Sequence, residues 1–68
     1  MNLTVNGTKK EIESENISVS DLLKSEAVLK TEGIAVAVNQ NVIPKSEWEQ
    51  MMIRENDLVL IIKATQGG

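Results

Sequence analysis

The 68-residue chain predicts an α+β domain, a mixed sheet of four to five strands packed on one helix. Three observations predict it. Met1 to Asn6 alternates apolar and polar residues in the period of a half-buried strand. Val19, Leu22, Leu23 and Ala27 recur at helical spacing, opposite Lys24, Ser25 and Glu26. Leu58 to Ile62 is a continuous apolar run of strand length. One helix cannot cover both faces of a sheet, so helix and sheet must share a single core.

The elements follow in order. After the first strand comes Asn6-Gly7, a strong hairpin signal, because a type I′ turn needs positive φ at both central residues. Thr8 to Glu13 returns as a polar second strand with Ile12 as its inward residue. Ser14 to Asn16 is a polar connection. Ser18 then reads as a helix N-cap, with Asp21 three residues on beside the positive end of the helix. The helix is expected over about 19–30, with Gly33 as its left-handed stop. Ile34 to Val38 alternates β-branched residues with alanines and reads as a strand. Asn39-Gln40-Asn41 turns the chain into a brief strand at Val42-Ile43 that must end by Pro44. Ser46 to Glu49 reads as one helical turn capped by Ser46, and Glu55-Asn56-Asp57 as another turn. The first and last strands are the apolar ones and are expected side by side at the centre of the sheet. That is the logic of a β-grasp, or ubiquitin-like, fold. A domain spanning 1-63 and a flexible C-terminal tail spanning 64-68 complete the organisation, with no internal repeat.

Composition removes several kinds of chemistry. Without Cys there is no thiol nucleophile, disulfide or thiolate metal site, and without His the commonest general base and metal ligand are missing. Trp48 is the single aromatic residue and the net charge is −3, so neither stacking on nucleobases nor attraction to phosphates is expected. An acidic domain would meet a partner protein with a basic docking surface more readily than a nucleic acid. Trp48, alone among aromatics, reads as a lid on the core. Glu11, Glu13, Glu15, Glu47, Glu49, Glu55 and Asp57 are scattered over turns and polar strand faces and read as solvated surface. No catalytic pair, metal site, bound cofactor or nucleotide-binding fingerprint is expected. No apolar run approaches the roughly 20 residues that cross a bilayer, and Met1-Asn2-Leu3 does not open a signal peptide, so the expected location is cytoplasmic, with no membrane partner.

Two features can carry function. Ala64-Thr65-Gln66-Gly67-Gly68 has no large apolar side chain to pin it to a core. The six residues after Ile62 could reach roughly 20 Å into solvent. Glycines lacking Cβ can thread a narrow channel, bringing a terminal carboxylate to the α-phosphate of a nucleotide to form an acyl-adenylate. A frayed end is the plain alternative. The second feature is the last strand, which is apolar on both of its faces. Either Val59 and Ile61 or Leu58, Leu60 and Ile62 point away from the helix. We assign Val59 and Ile61 to the core and Leu60 and Ile62 to a partner-docking surface, with Ala35 and Ala37 beside them. The plain alternative is that loops or the short strand cover this face.

These residues also carry a resemblance. Met1-Asn2-Leu3-Thr4-Val5-Asn6-Gly7, then Val36-Ala37-Val38-Asn39 followed by Val42-Ile43-Pro44-Lys45-Ser46-Glu47-Trp48, and the Gly67-Gly68 end together resemble the ThiS family of sulfur carriers in thiamin thiazole biosynthesis. The resemblance covers essentially the whole chain, and the block around Pro44 to Trp48 is its most diagnostic part. It implies a β-grasp fold and a carrier rather than an enzyme. An E1-like activating enzyme of the ThiF type would use ATP and magnesium to adenylate Gly68. A sulfur donor such as a cysteine desulfurase would supply the sulfur, and the resulting thiocarboxylate would serve a thiazole synthase of the ThiG type. Gly67 and Gln66 would form the adjoining tail. The family often has Asn-Gly where this chain has Asn39-Gln40-Asn41, a turn made at some steric cost. Gly-Gly alone would equally fit a molybdopterin-synthase small subunit or a ubiquitin-like protein modifier, and a non-covalent interaction module would not use the tail at all.

Overall fold

A computed structural model of the chain describes residues 1–26, 28 and 32–63. Strands β1 (Asn2–Val5), β2 (Thr8–Glu11), β3 (Ile34–Val38), β4 (Asn41–Ile43) and β5 (Leu58–Lys63) form one sheet, and the helix α1 (Val19–Ser25) packs across one side of it. The sheet order is β2-β1-β5-β3-β4. β1 and β5 run parallel at the centre, and the other three pairings are antiparallel. The two apolar strands thus lie side by side, as their burial on both edges requires.

Alternation along each strand sends one set of side chains inward. Leu3 and Val5 of β1, Val36 and Val38 of β3, Ile43 of β4 and Val59 of β5 meet Val19, Leu22 and Leu23 of α1 in a single buried cluster. Ile53 closes that cluster, and so does Trp48, whose indole Nε1 donates to the Ile43 carbonyl at 2.8 Å. This is the lid expected of a lone aromatic, with its polar end satisfied in the interior.

Local chemistry explains the boundaries. Ser18 and Asp21 form a reciprocal capping box. The Asp21 amide donates to Ser18 Oγ, the Ser18 amide donates to Asp21 Oδ2, and each bond is 3.1 Å long. These bonds hold the Asp21 carboxyl below its ordinary pKa of 3.8. The Ser18 amide is the largest cause, followed by the Ser18 hydroxyl, with partial opposition from burial and a further lowering by Lys24.

The helix is shorter than its periodicity predicts, ending at Ser25 rather than near residue 30. The Val28 amide donates to the Leu23 carbonyl at 2.9 Å, a six-to-one bond across the end of the helix, and Val28 packs against the core. The Ser25 hydroxyl also donates to the Leu22 carbonyl at 2.8 Å. Gly33, with φ of 75°, therefore leads into β3 instead of stopping the helix. Ala27, expected on the apolar stripe, lies outside the described residues.

Two smaller expectations also change. The second strand ends at Glu11, two residues early, although the Ile12 amide still bonds the Met1 carbonyl. Ile12 packs against the core as expected, just beyond the strand, and within the strand Lys10 lies opposite Leu3 and meets Glu26 at 3.3 Å. The turn before Trp48 is a 3₁₀ turn over Lys45–Glu47 that begins at Pro44 and has no side-chain cap. Ser46 lies inside it, since the Pro44 carbonyl already accepts the Glu47 amide.

Candidate docking face and the base of the tail

The side of the sheet away from α1 is apolar over β5, β3 and β4. Leu58, Leu60 and Ile62 of β5 are 56%, 47% and 48% exposed, whereas Val59 between them is 3% exposed. The registers place Ala35 opposite Ile62 and Ala37 opposite Leu60, and Val42 of β4 stands opposite Ala37. The structure therefore brings all four sequence-assigned docking residues onto one outer surface, with Ile61 half-buried on the inner side. Because alanines flank leucine and isoleucine, the surface is dished. A depression of about 300 Å³ is lined by Thr4, Gly7, Ala37, Gln40, Leu58 and Leu60.

Leu58 and Val42 extend this face beyond the residues assigned from sequence. Alternation along the last strand groups Leu58 with Leu60. Val42 had no alternation to reveal it, because its strand is three residues long. Its signal lies in the turn: a two-residue loop at Asn39-Gln40 pairs Val38 with Asn41, which places Val42 across from Ala37.

Both hairpins that border the face are built on positive φ. Asn6 and Gly7 have φ of 51° and 82°, and Asn39 and Gln40 have φ of 52° and 73°. The second turn thus keeps the type I′ shape without glycine, and Gln40 carries the steric cost.

Asp57 departs most from expectation. It is 9% exposed and is not solvated surface. Its Oδ2 accepts the Arg54 amide at 2.7 Å, and its Oδ1 accepts from Asn39 Nδ2 at 2.9 Å. Asn39 Oδ1 in turn accepts the Leu58 amide at 3.0 Å. The carboxylate is a tie between the last turn and the β3–β4 hairpin, and it sets where β5 begins. A turn signal at Glu55-Asn56-Asp57 was visible, but its partner lies 18 residues away in sequence. Glu11, Glu13, Glu15, Glu47, Glu49 and Glu55, the others read as solvated surface, are exposed.

Among the described residues no group of three or more His, Cys, Asp or Glu side chains converges to hold a metal ion. No helix among them is long and apolar enough to cross a membrane. β5 ends at Lys63, opposite Ile34 of β3, and the chain continues directly into residues 64–68. Gln66, Gly67 and Gly68, the sequence-assigned tail and modification site, lie outside the described residues.

The description of the ThiS family matches residues 3–68. The chain belongs to the ThiS family. Over 36 residues it is 33% identical to the sulfur carrier protein ThiS of Escherichia coli strain K12, an aligned stretch covering 53% of this chain and 54% of that protein. The chain thus spans about half the length of the curated ThiS relative it matches. A crystal structure of the thiamine biosynthesis protein ThiS from Geobacter metallireducens superposes over 100% of both chains, with a TM-score of 0.87 at 29% identity. The solution structure of a thiamine biosynthesis protein from the same organism gives a TM-score of 0.82 at 29% identity, covering 100% of this chain and 88% of that one. The ubiquitin-like β-grasp architecture of ThiS is therefore the architecture of this chain.

Proposed function

We propose that the chain is a sulfur carrier of thiamin biosynthesis, whose C-terminal glycine is adenylated and then converted to a thiocarboxylate. The observation that carries the reading is the match to the ThiS family from residue 3 to residue 68, which takes in the Gly67-Gly68 end. The geometry of the last strand supports the reading. The same strand that presents Leu58, Leu60 and Ile62 on the outer surface leads straight into the tail, so a protein that grips this face holds the tail at a defined distance.

A free carboxylate is a poor electrophile. Attack of the Gly68 carboxylate on the α-phosphate of ATP would expel pyrophosphate and leave an acyl-adenylate, and sulfur delivered from a donor would then displace AMP. ATP and magnesium belong to the activating enzyme, of the ThiF type, and the thiocarboxylate would pass its sulfur to a thiazole synthase of the ThiG type. This chain contributes the carboxylate and the docking face. Gly67 and Gly68 have no Cβ and so fit a channel that would exclude larger residues.

The test is incubation with ATP, magnesium, a ThiF-type enzyme and a cysteine-desulfurase sulfur source, followed by intact-mass measurement. The expected result is a mass gain equal to replacement of one oxygen by sulfur, absent when Gly68 is deleted. An unchanged mass rules the reading out. Conjugates to lysine side chains would identify a protein modifier instead.

A further inference from the structure

We infer that Asn6 is a positioning residue for the tail, its side chain standing in for a missing strand residue and holding the β1-side edge of β5 at Ile61, just ahead of residues 64–68. The inference rests on the sulfur-carrier reading only for its functional consequence.

The parallel ladder between β1 and β5 begins regularly. The Thr4 amide donates to the Asp57 carbonyl at 3.0 Å, and the Asn6 amide donates to the Val59 carbonyl at 2.9 Å. In a parallel pair, the next bond would run from the Ile61 amide to the Asn6 carbonyl. β1 ends at Val5, however, and Asn6 turns into the hairpin at φ of 51°, which redirects its carbonyl. The Asn6 side chain supplies the acceptor in its place, with Oδ1 2.7 Å from the Ile61 amide nitrogen. Side chain and backbone of one residue thus hold both Val59 and Ile61, 55 positions away from Asn6 at Ile61.

The consequence is local to the last residues of β5. β1 pairs with β5 only at Leu58 and Val59, while β3 accompanies β5 as far as Lys63. Among the described residues, the β1-side edge of β5 after Val59 is held by the Asn6 side chain. Asn39 does the corresponding work on the other edge at the opposite end of the strand, where its Oδ1 takes the Leu58 amide. One hairpin asparagine registers the start of β5, and the other holds it at Ile61. Asparagine suits this task because it tolerates the left-handed region and carries a short acceptor.

Asn6→Gly separates the side chain from the turn, because Gly-Gly is itself a favoured type I′ pair and the hairpin persists. Asn6→Asp keeps an acceptor oxygen at the same place. Amide hydrogen exchange on the isolated, folded chain is expected to accelerate about tenfold at Ile61 in Asn6→Gly, the effect of losing one hydrogen bond, with Val36 and Val38 unchanged. Asn6→Asp should stay within about twofold of the parent. In adenylation by the activating enzyme, Asn6→Gly should lower kcat at least about tenfold, since a small misplacement of a reacting group is costly. KM, set by the docking face, should stay within about twofold. Unchanged Ile61 exchange in Asn6→Gly overturns the inference, as does faster exchange with an unaltered kcat. If the parent chain is not adenylated at all, the sulfur-carrier reading fails, and the exchange data alone decide whether Asn6 holds the strand.

Discussion

Replacing Leu60 with Asp puts a carboxylate on the outer face of β5 without touching the core beneath it. Full burial of a leucine side chain stabilises a fold by about 1.5–3 kcal/mol. Leu60 is 47% exposed, so about half of that is at stake. The poorer strand propensity of Asp adds up to about 1 kcal/mol, for a total cost near 2 kcal/mol. A domain of this length is stable by about 3–10 kcal/mol, so Leu60→Asp should remain folded at room temperature. Val59→Asp is the control. Val59 is 3% exposed, and burying an unpaired carboxylate there costs several kcal/mol, enough to unfold the chain. In a complex the situation at Leu60 reverses, because a partner covering the face must strip water from the new carboxylate. A penalty of about 3 kcal/mol would weaken docking roughly a hundredfold. Circular dichroism melting reports the fold, and the KM for adenylation reports docking. A Leu60→Asp chain that is unfolded, or one activated with the parent KM, would refute the assignment of this face.

Two further outcomes follow from local geometry. Gln40→Gly relieves a residue held at φ of 73° and should stabilise the chain by about 1 kcal/mol, raising Tm by about 4–8 °C; an unchanged or lower Tm would mean that the hairpin carries no strain there. For pH, the Asp21 carboxyl titrates lower in the folded chain than in the unfolded one, so its capping contribution is present above 3.8 and is lost as pH falls through the depressed folded value. Urea unfolding of the parent and of Asp21→Asn should therefore differ at neutral pH and converge in acid, and a gap that persists into acid would assign the cap's stability to something other than the ionised carboxylate.

Much of the candidate site was legible because its signals are local. Period-two alternation in Leu58 to Ile62 needs only adjacent residues to separate inner from outer side chains, and the excess of apolar residues marked one face as spare. The Asn6-Gly7 hairpin and the Ser18–Asp21 box are likewise contained within four residues, and both formed as read. The helix end was misjudged because Ser25, Glu26 and Val28 stop it by competing hydrogen bonds and packing, a choice that spacing alone does not encode.

The chain by itself determined the class of fold, which strands are apolar, and where the backbone must take positive φ, since steric limits on φ and the repeat of side-chain direction act over a few residues. Tertiary structure decided the rest. Only the assembled sheet sets Ala35 and Ala37 beside Ile62 and Leu60, turns Val42 onto the same face, and draws Asp57 inside to meet Asn39. Only the ending of β1 beside a longer β5 gives the Asn6 side chain an amide to hold. Each of these joins groups far apart in sequence, and their partnership depends on which strands become neighbours once the core has closed.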